Sequence, residues 1–271
     1  MKSGRVIDCF MYSGETDAVS IRFDEQLNEV DEYWVIESNR SFTGIPKVLR
    51  FHADADANGW DLSKVRYLDI SDQITVTEDP WKVERTSRNI VSEYIDDLKK
   101  HDKLIISDAD EIMSQKMLSR IRGLRIGLPI GLHLRPSYLY LNYCLLEPLW
   151  AANLTTAVVL TKELLNQKTA DDWRKQIQMD LLPYIRISSA GWHASFLGGV
   201  QAMRTKMSFY SHTEFGVDVI PIDIDISELV RQGRDLLGRD GFKFELISKD
   251  DLPMCVKTDS EKYRHLIYEA Q

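Results

Sequence analysis

Strand-like and helix-like segments alternate over the first 110 residues, and this order limits the fold more than any other feature. Parallel strands need a crossover of a dozen or more residues, usually a helix, so regular alternation favours a sheet covered by helices. Short apolar runs predict the strands, and they lie at 6–12, 31–38, 65–70 and 104–106.

Helix signals separate these strands. Apolar residues at helical spacing predict a helix over 15–29, and they are Val19, Phe23, Leu27 and Val30. Asp79 and Pro80 predict the start of a second helix, because Asp caps helices well and Pro suits the first helical position. The order β-α-β-β-α-β predicts the α/β class, with a mostly parallel central sheet flanked by helices. Ligands of such sheets bind at the carboxyl ends of strands.

The pattern changes after residue 123. Apolar and aromatic segments predict further strands, including antiparallel ones, at 128–145 and 154–161, and a polar helix is expected at 162–182. The tail at 262–269 is helix-like, and its apolar residues are expected to pack on the body or on a partner subunit: Tyr263, Leu266 and Ile267.

Composition excludes several classes of protein. There are 34 Lys and Arg residues against 42 Asp and Glu, a net charge of −8, without a basic run that would bind nucleic acid. The three cysteines are too few and too scattered for a disulfide framework or a zinc knuckle. No segment resembles a signal peptide or a transmembrane helix of about 20 apolar residues. We therefore expect a soluble, cytoplasmic protein.

An acidic cluster follows the apolar strand at 104–106, with the sequence Ser107-Asp108-Ala109-Asp110-Glu111. Side chains two apart in an extended chain point the same way, so Asp108 and Asp110 are expected to face one ligand. Their hard oxygen atoms suit Mg²⁺ or Mn²⁺. A solvated acidic turn before a helix at 114–122 is the alternative. The position directly after a buried strand favours the ligand site.

With these residues in view, the chain resembles glycosyltransferase family 17, whose best-known members are β-1,4-mannosyl-glycoprotein N-acetylglucosaminyltransferases. The similarity spans about residues 5–240. It consists of several blocks of matched residues in the same order as in the family, and together they are far more specific than any one block. The blocks are Ile7-Asp8-Cys9-Phe10 with Glu15-Thr16-Asp17 and Ile21-Arg22; Val30-Asp31, Val35–Arg40, Thr43-Gly44 and Lys47; Trp81, Glu84 and Arg88; Ser107–Ile112; Gly191–Ser195; Lys206, Ser208, Ser211-His212 and Glu214; Gly233–Leu236 and Arg239. Thr16 and Met113 depart from the family pattern, at positions where no ligand is expected.

The resemblance implies a GT-A enzyme: one Rossmann-like domain over residues 1–271, a UDP-sugar donor and a divalent cation, Mn²⁺ or Mg²⁺. Residues 1–110 would bind the nucleotide sugar, and 111–271 would bind the acceptor and include the tail. The family makes a β linkage from an α-linked donor, so the reaction is expected to invert the anomeric carbon. UDP-GlcNAc is the first choice of donor, and a glycan hydroxyl is the expected acceptor.

The resemblance also implies roles for individual residues. The cation is assigned to Asp110 first and Asp108 second, with His212 as a further ligand. Donor contacts are expected from Asp8, Phe10, Glu15, Arg85, Arg88, Asp108 and Glu111. The acceptor is assigned to Trp192 and His193. The general base is expected to be Glu214, then Asp235, then His193.

Each of these residues also has a structural interpretation. Phe10 and Trp192 could be core residues, Glu15 a helix-terminal charge and His212 a surface histidine, while Glu84 and Arg88 form an i,i+4 pair. A metal-dependent phosphohydrolase and a non-catalytic nucleotide-sugar-binding protein are the alternative functions. Matched residues in both halves of the chain favour sugar transfer over either.

Overall fold

A ten-stranded sheet runs through the part of the chain that the computed structural model describes, residues 4–74, 80–199, 203 and 225–269. The strands are β1 (Val6–Met11), β2 (Glu32–Glu37), β3 (Val65–Asp69), β4 (Lys103–Asp108), β5 (Glu111–Met113), β6 (Ile130–Tyr138), β7 (Tyr143–Glu147), β8 (Thr155–Leu160), β9 (Ile185–Ser195) and β10 (Lys243–Leu246). The helices are α1 (Thr16–Gln26), α2 (Phe51–Asn58), α3 (Pro80–Asn89), α4 (Gln115–Gly123), α5 (Leu149–Ala152), α6 (Lys162–Leu165), α7 (Ala170–Gln178), α8 (Ile226–Arg231) and α9 (Met254–Thr258).

The sheet has a parallel half and a mixed half. Strands β3, β2, β1 and β4 are parallel neighbours, and β8 pairs antiparallel with β4. Strand β6 lies between β8 and β7, and β9 pairs with both β6 and β5. Following these pairings, seven of the ten strands run in one direction and β5, β7 and β8 run in the other. The predicted mostly parallel sheet flanked by helices is confirmed.

Both faces of the central strands are buried, which explains their continuous apolar sequences. Residues alternate between the faces, so Val6 and Phe10 of β1 pack in the cluster that includes Val19 and Phe23 of α1. Ile7 and Cys9 pack on the opposite face, in the cluster that holds residues of α3, α6 and α7. This alternation decides which helix each polar residue at the end of a strand meets.

Two helix predictions need correction. Helix α2 was not expected between the second and third strands, because its sequence has little apolar periodicity; Phe51 and Ala55 are its buried apolar residues. The single polar helix expected at 162–182 is divided into α6 and α7. Thr169 separates them, because its side-chain oxygen caps α7 by accepting the backbone N–H of Asp172.

The C-terminal segment folds back onto α1, which confirms that its apolar residues pack on the body. Leu266 is buried, and the Tyr263 hydroxyl donates to Asp24 at 2.5 Å. The predicted helical tail is only a 3₁₀ turn at Arg264–Leu266. Over the described ranges, no helix combines the length and apolarity needed to cross a membrane.

Candidate active site

A cavity of about 600 Å³ opens at the carboxyl ends of β1 and β4. Its volume is within the range of small-molecule sites. Among the described residues that line it, seven are carboxylates and four are Arg or Lys, so negative charge exceeds positive charge by three, with histidine neutral. The charged lining residues are Glu15, Asp17, Glu84, Arg85, Arg88, Asp108, Asp110, Glu111, Asp171, Arg174 and Lys175.

Arg22 holds the acidic cluster at residues 107–111, called the acidic loop from here on, from the face of the sheet that α1 covers. Alternation along β1 directs Asp8 toward α1, and Arg22 of α1 donates to both oxygens of that carboxylate, at 2.7 and 2.5 Å. The guanidinium lies 4.3 Å from the centre of the Phe10 ring and also donates to the Ser107 hydroxyl. Both members of this ion pair are fully buried. The same group donates to the loop carbonyls of Asp108, Ala109 and Glu111, at 2.8, 3.3 and 3.1 Å.

Asp108 is held by two arginines on the other face of the sheet. Arg88 of α3 donates to its Oδ1 at 3.1 Å, and Arg174 of α7 donates to its Oδ2 at 2.7 Å. Arg174 also donates to both oxygens of Glu111, at 3.0 Å each, and Arg88 pairs with Glu84 and Asp171. Burial alone would raise the pKa of Asp108. The two guanidinium groups outweigh this effect and hold the pKa well below its usual range.

The low pKa of Asp108 predicts a defined pH dependence of stability. A lowered pKa stabilises the fold fully above the unfolded value of about 3.9, and this stabilisation is lost as the pH falls through the folded value. We expect the difference in unfolding free energy between wild type and Asp108→Asn to be constant above about pH 5 and to shrink below about pH 4. Urea unfolding at a series of pH values measures it. A difference that disappears between pH 5 and 7 would contradict the assignment.

Asp110 lies beside a histidine of β9. The chain turns at Ala109 and Asp110 between β4 and β5, so the backbone from Asp108 to Asp110 is not the extended one that the sequence predicted. The Oδ1 atom of Asp110 lies 3.7 Å from Nε2 of His193 on β9. Both side chains line the cavity. Asp108 lines the same cavity, and binding of one ligand by both carboxylates stays a prediction.

The backbone of β9 approaches that of β5 very closely at Gly191, directly after the acidic loop. Gly191 pairs with Met113 of β5, and a Cβ atom at Gly191 would lie 2.0 Å from the carbonyl oxygen of Ile112. Any larger residue must therefore push β9 away from β5, and His193 moves with it.

We expect Gly191→Ala to destabilise the protein by roughly 1–3 kcal/mol, as overpacking of a tight contact does. Urea unfolding measures the change. Gly123→Ala is the matched control, because no atom lies within 4 Å of a Cβ there and alanine favours a helix. Equal stability of the two variants would show that β9 can shift without cost.

The structure brings many of the predicted residues together. Glu15, Arg85, Arg88, Asp108, Asp110, Glu111 and His193 all line the cavity. His212 and Glu214 lie outside the described residues and remain predictions.

Four residues predicted to contact a ligand are not among the described residues that line the cavity: Asp8, Phe10, Trp192 and Asp235. Asp8 and Phe10 are buried against Arg22. The Trp192 indole packs in the cluster under the C-terminal segment and donates to the carbonyl of Asp251 at 3.0 Å. Each of these three side chains is therefore engaged with other groups of the protein.

Asp235 is likewise engaged elsewhere. Its carboxylate accepts hydrogen bonds from the Arg239 side chain at 2.8 and 2.9 Å and from the Arg239 backbone N–H at 2.9 Å. The side chain is 2% exposed, so a role as general base has no support from this geometry.

Sequence reasoning missed Asp171 and Arg174, which line the cavity, and the role of Arg22, which donates to the backbone of the acidic loop. Asp171 and Arg174 are three residues apart on α7, and therefore share one face of the helix. Their spacing was a signal, but it was hidden inside the long polar helix that we expected. Arg22 was part of a matched block without an assigned role.

The side chains that line the cavity decide whether a divalent cation could bind there. The described residues contain no group of three or more His, Cys, Asp or Glu side chains arranged as a metal site. The excess negative charge of the lining nevertheless suits a cation, because a nucleotide sugar brings further negative charge into a cavity that already repels it. Magnesium-type ions also take few protein ligands and complete their shell with substrate phosphates and water. The residues therefore fit such an ion.

The fold places the cavity at the carboxyl ends of parallel strands, where α/β proteins of this type bind their ligands. A sequence model described as glycosyltransferase family 17 matches residues 1–267, so the chain belongs to that family and is a glycosyltransferase. The resemblance seen in the sequence is confirmed. Comparison with curated protein sequences finds no match.

Solved structures share only a distant likeness with this chain. The galactosyltransferase LgtC in complex with donor and acceptor sugar analogs is 9% identical, with a TM-score of 0.33 over 66% of each chain. HddC from Yersinia pseudotuberculosis is 10% identical, with a TM-score of 0.40 over 71% of this chain and 90% of that one. The bifunctional enzyme WbbM is 9% identical, with a TM-score of 0.32, and the match spans 61% of this chain and 32% of WbbM. Likeness at this level carries no argument about substrates.

Proposed function

We propose that this glycosyltransferase is an inverting, metal-dependent enzyme that transfers a sugar, N-acetylglucosamine in the first instance, from a UDP-sugar to a hydroxyl of a glycan. The cavity at the ends of β1 and β4 carries the proposal, because it combines two oriented guanidinium groups with an excess of carboxylates. Arginine binds phosphate oxygens in a planar fork, whereas carboxylates bind cations.

In this proposal, Arg88 and Arg174 contact the diphosphate of the donor. Asp108 lies between them and holds both groups in place, so little conformational entropy is lost when the donor binds. Asp110, with Asp108 as the second candidate, would hold the cation, which supplies positive charge to the leaving diphosphate. Glu111 fixes the loop by accepting the backbone N–H of Asp108 at 2.8 Å.

The reaction requires a base on the acceptor side. The acceptor oxygen forms a bond to the anomeric carbon as the bond from that carbon to the diphosphate oxygen breaks. The hydroxyl proton passes to a carboxylate, and the configuration inverts because there is one displacement. Glu214 is our first candidate for that carboxylate, since Asp235 is held by Arg239.

A donor screen tests the function. UDP-GlcNAc, UDP-GalNAc, UDP-glucose, UDP-galactose and GDP-mannose are titrated by calorimetry with Mn²⁺ or with EDTA, and release of UDP and of inorganic phosphate is followed. We expect Mn²⁺-dependent binding of one UDP-sugar and slow release of UDP.

Asp110→Asn should lower UDP release by about 10²–10³-fold, as the loss of one charge-stabilising group does in other enzymes. Asp96→Asn is the control, because it makes the same change at a fully exposed position. Release of inorganic phosphate instead of UDP would favour the phosphohydrolase, and donor binding that Asp110→Asn leaves unchanged would contradict the assigned site.

A further inference from the structure

The residue that follows β9 has a strained backbone. Phe196 has a φ of 62°, in the left-handed region. This region costs a bulky L-residue free energy, because its Cβ comes too close to a backbone carbonyl, whereas glycine adopts it readily. Two glycines follow in the same turn, Gly198 and Gly199, with φ values of 92° and 81°. The chain therefore carries an aromatic side chain at a position where glycine would relieve the strain.

Contacts with β6 fix the position of Phe196. Ser195 pairs with Tyr138 at the end of β6, and the backbone N–H of Leu139 donates to the carbonyl of Ser195 at 3.1 Å. The rings of Phe196 and Tyr138 are nearly perpendicular, at 86°, with their centres 5.6 Å apart. The Phe196 side chain is half-buried and lines the active-site cavity. Its ring is thus held in place at the cavity wall before any ligand binds.

The walls of the cavity differ in charge. The arginines among its described lining residues lie on α3 and α7, and they are Arg85, Arg88 and Arg174. Residues 193–197, at the end of β9, all line the cavity and carry no formal charge when His193 is neutral. A diphosphate is attracted to the first wall. A neutral sugar ring is better accommodated by the second wall, where the Phe196 ring and the Leu197 side chain supply apolar surface.

We propose that the Phe196 ring is the surface on which the acceptor sugar packs, and that the strained backbone is retained because it places this ring in the cavity wall. Locally unfavourable residues of this kind cluster at functional sites. The ligand class is a neutral pyranoside, since such a ring presents C–H groups on one face and an aromatic ring is rigid and apolar. The inference rests on the proposed function and names the residue that selects the acceptor.

Binding of simple sugars tests the proposal without turnover. The probes are the methyl β-glycosides of glucose, galactose, mannose and N-acetylglucosamine, with UDP and Mg²⁺ present, because Mn²⁺ would broaden the NMR signals. Saturation-transfer NMR shows which sugar protons contact the protein. We expect at least one glycoside to bind the wild type, with the strongest transfer to the protons of one ring face. Its Kd should be about 10-fold weaker in Phe196→Gly, with UDP affinity unchanged.

Three further measurements distinguish sugar binding from packing. Phe196→Gly relieves the strain as it removes the ring, so its urea midpoint should stay close to that of the wild type. Phe196→Tyr keeps the ring and should keep the glycoside affinity. Ser189→Gly is the matched control, because Ser189 is an exposed left-handed residue of β9, with a φ of 54°, that is not among the described lining residues. It should leave glycoside affinity unchanged.

The outcomes separate this inference from the function on which it rests. If the wild type binds UDP and none of the four glycosides, or if Phe196→Gly binds a glycoside as tightly as the wild type, the inference is overturned and the function stands. Equal losses of glycoside and UDP affinity in Phe196→Gly would mean that the ring only supports the fold. A loss of UDP-GlcNAc affinity with UDP affinity kept would place the ring at the donor sugar and also overturn the inference. If the wild type binds no UDP, the proposed function itself fails.

Discussion

Replacing Arg22 with methionine is expected to lower the free energy of unfolding by about 3–5 kcal/mol, the usual cost of removing one member of a buried ion pair. The change leaves the Asp8 carboxylate fully buried without its partner. It also removes the donor to three carbonyls of the acidic loop. Urea unfolding monitored by circular dichroism measures the loss.

Two further variants identify the cause of that loss. Arg231→Met makes the same substitution at an exposed arginine and should leave stability almost unchanged. Asp8→Leu combined with Arg22→Met removes both charges and should recover part of the stability, because a buried apolar pair carries no desolvation cost. Equal destabilisation by Arg22→Met and Arg231→Met would show that the buried pair contributes little.

Arg174→Gln is expected to reduce sugar transfer by about 10²–10³-fold, because a guanidinium aimed at developing negative charge is removed. The change also leaves Asp108 with Arg88 as its remaining arginine partner and Glu111 without its guanidinium. Measurement of kcat/KM for the donor found in the screen, below the melting temperature of the variant, separates this effect from unfolding.

Lys175→Gln is the control for charge. Lys175 is the next residue on α7, lines the same cavity and loses the same charge on substitution. Its effect on kcat/KM should be less than about 10-fold, because a flexible ammonium group lacks the planar fork that binds a diphosphate. Equal losses in Arg174→Gln and Lys175→Gln would mean that the net charge of the cavity, and not the fixed arginine, governs transfer.

The elements of the parallel half were predictable because local signals are strong there. The apolar runs of β1, β2 and β4 are buried on both faces, and the spacing of apolar residues in α1 follows the helical period. Helix α2 and the break between α6 and α7 were missed. Helix α2 shows little periodicity, and one side-chain cap ends the longer pattern at Thr169.

The candidate site was predicted in part. The acidic loop was identified because it follows a buried strand and belongs to a matched block of the family. Arg88 was identified because it belongs to another matched block. Trp192 was assigned to the acceptor but packs in the core, because neighbouring residues of a strand face opposite sides and His193 takes the cavity side. No local pattern shows which side of a strand meets a ligand and which meets a helix.

The sequence by itself determined the α/β class, the family and the position of the acidic loop at the end of β4, because alternation and ordered motifs are local properties of the chain. The tertiary structure decided which charges meet. Arg22, Arg88 and Arg174 lie far apart in sequence, and they converge on one loop only because β1 and β4 are neighbours between helices on opposite faces. Side-chain partners depend on strand order and on helix position, and these follow from packing of the whole chain.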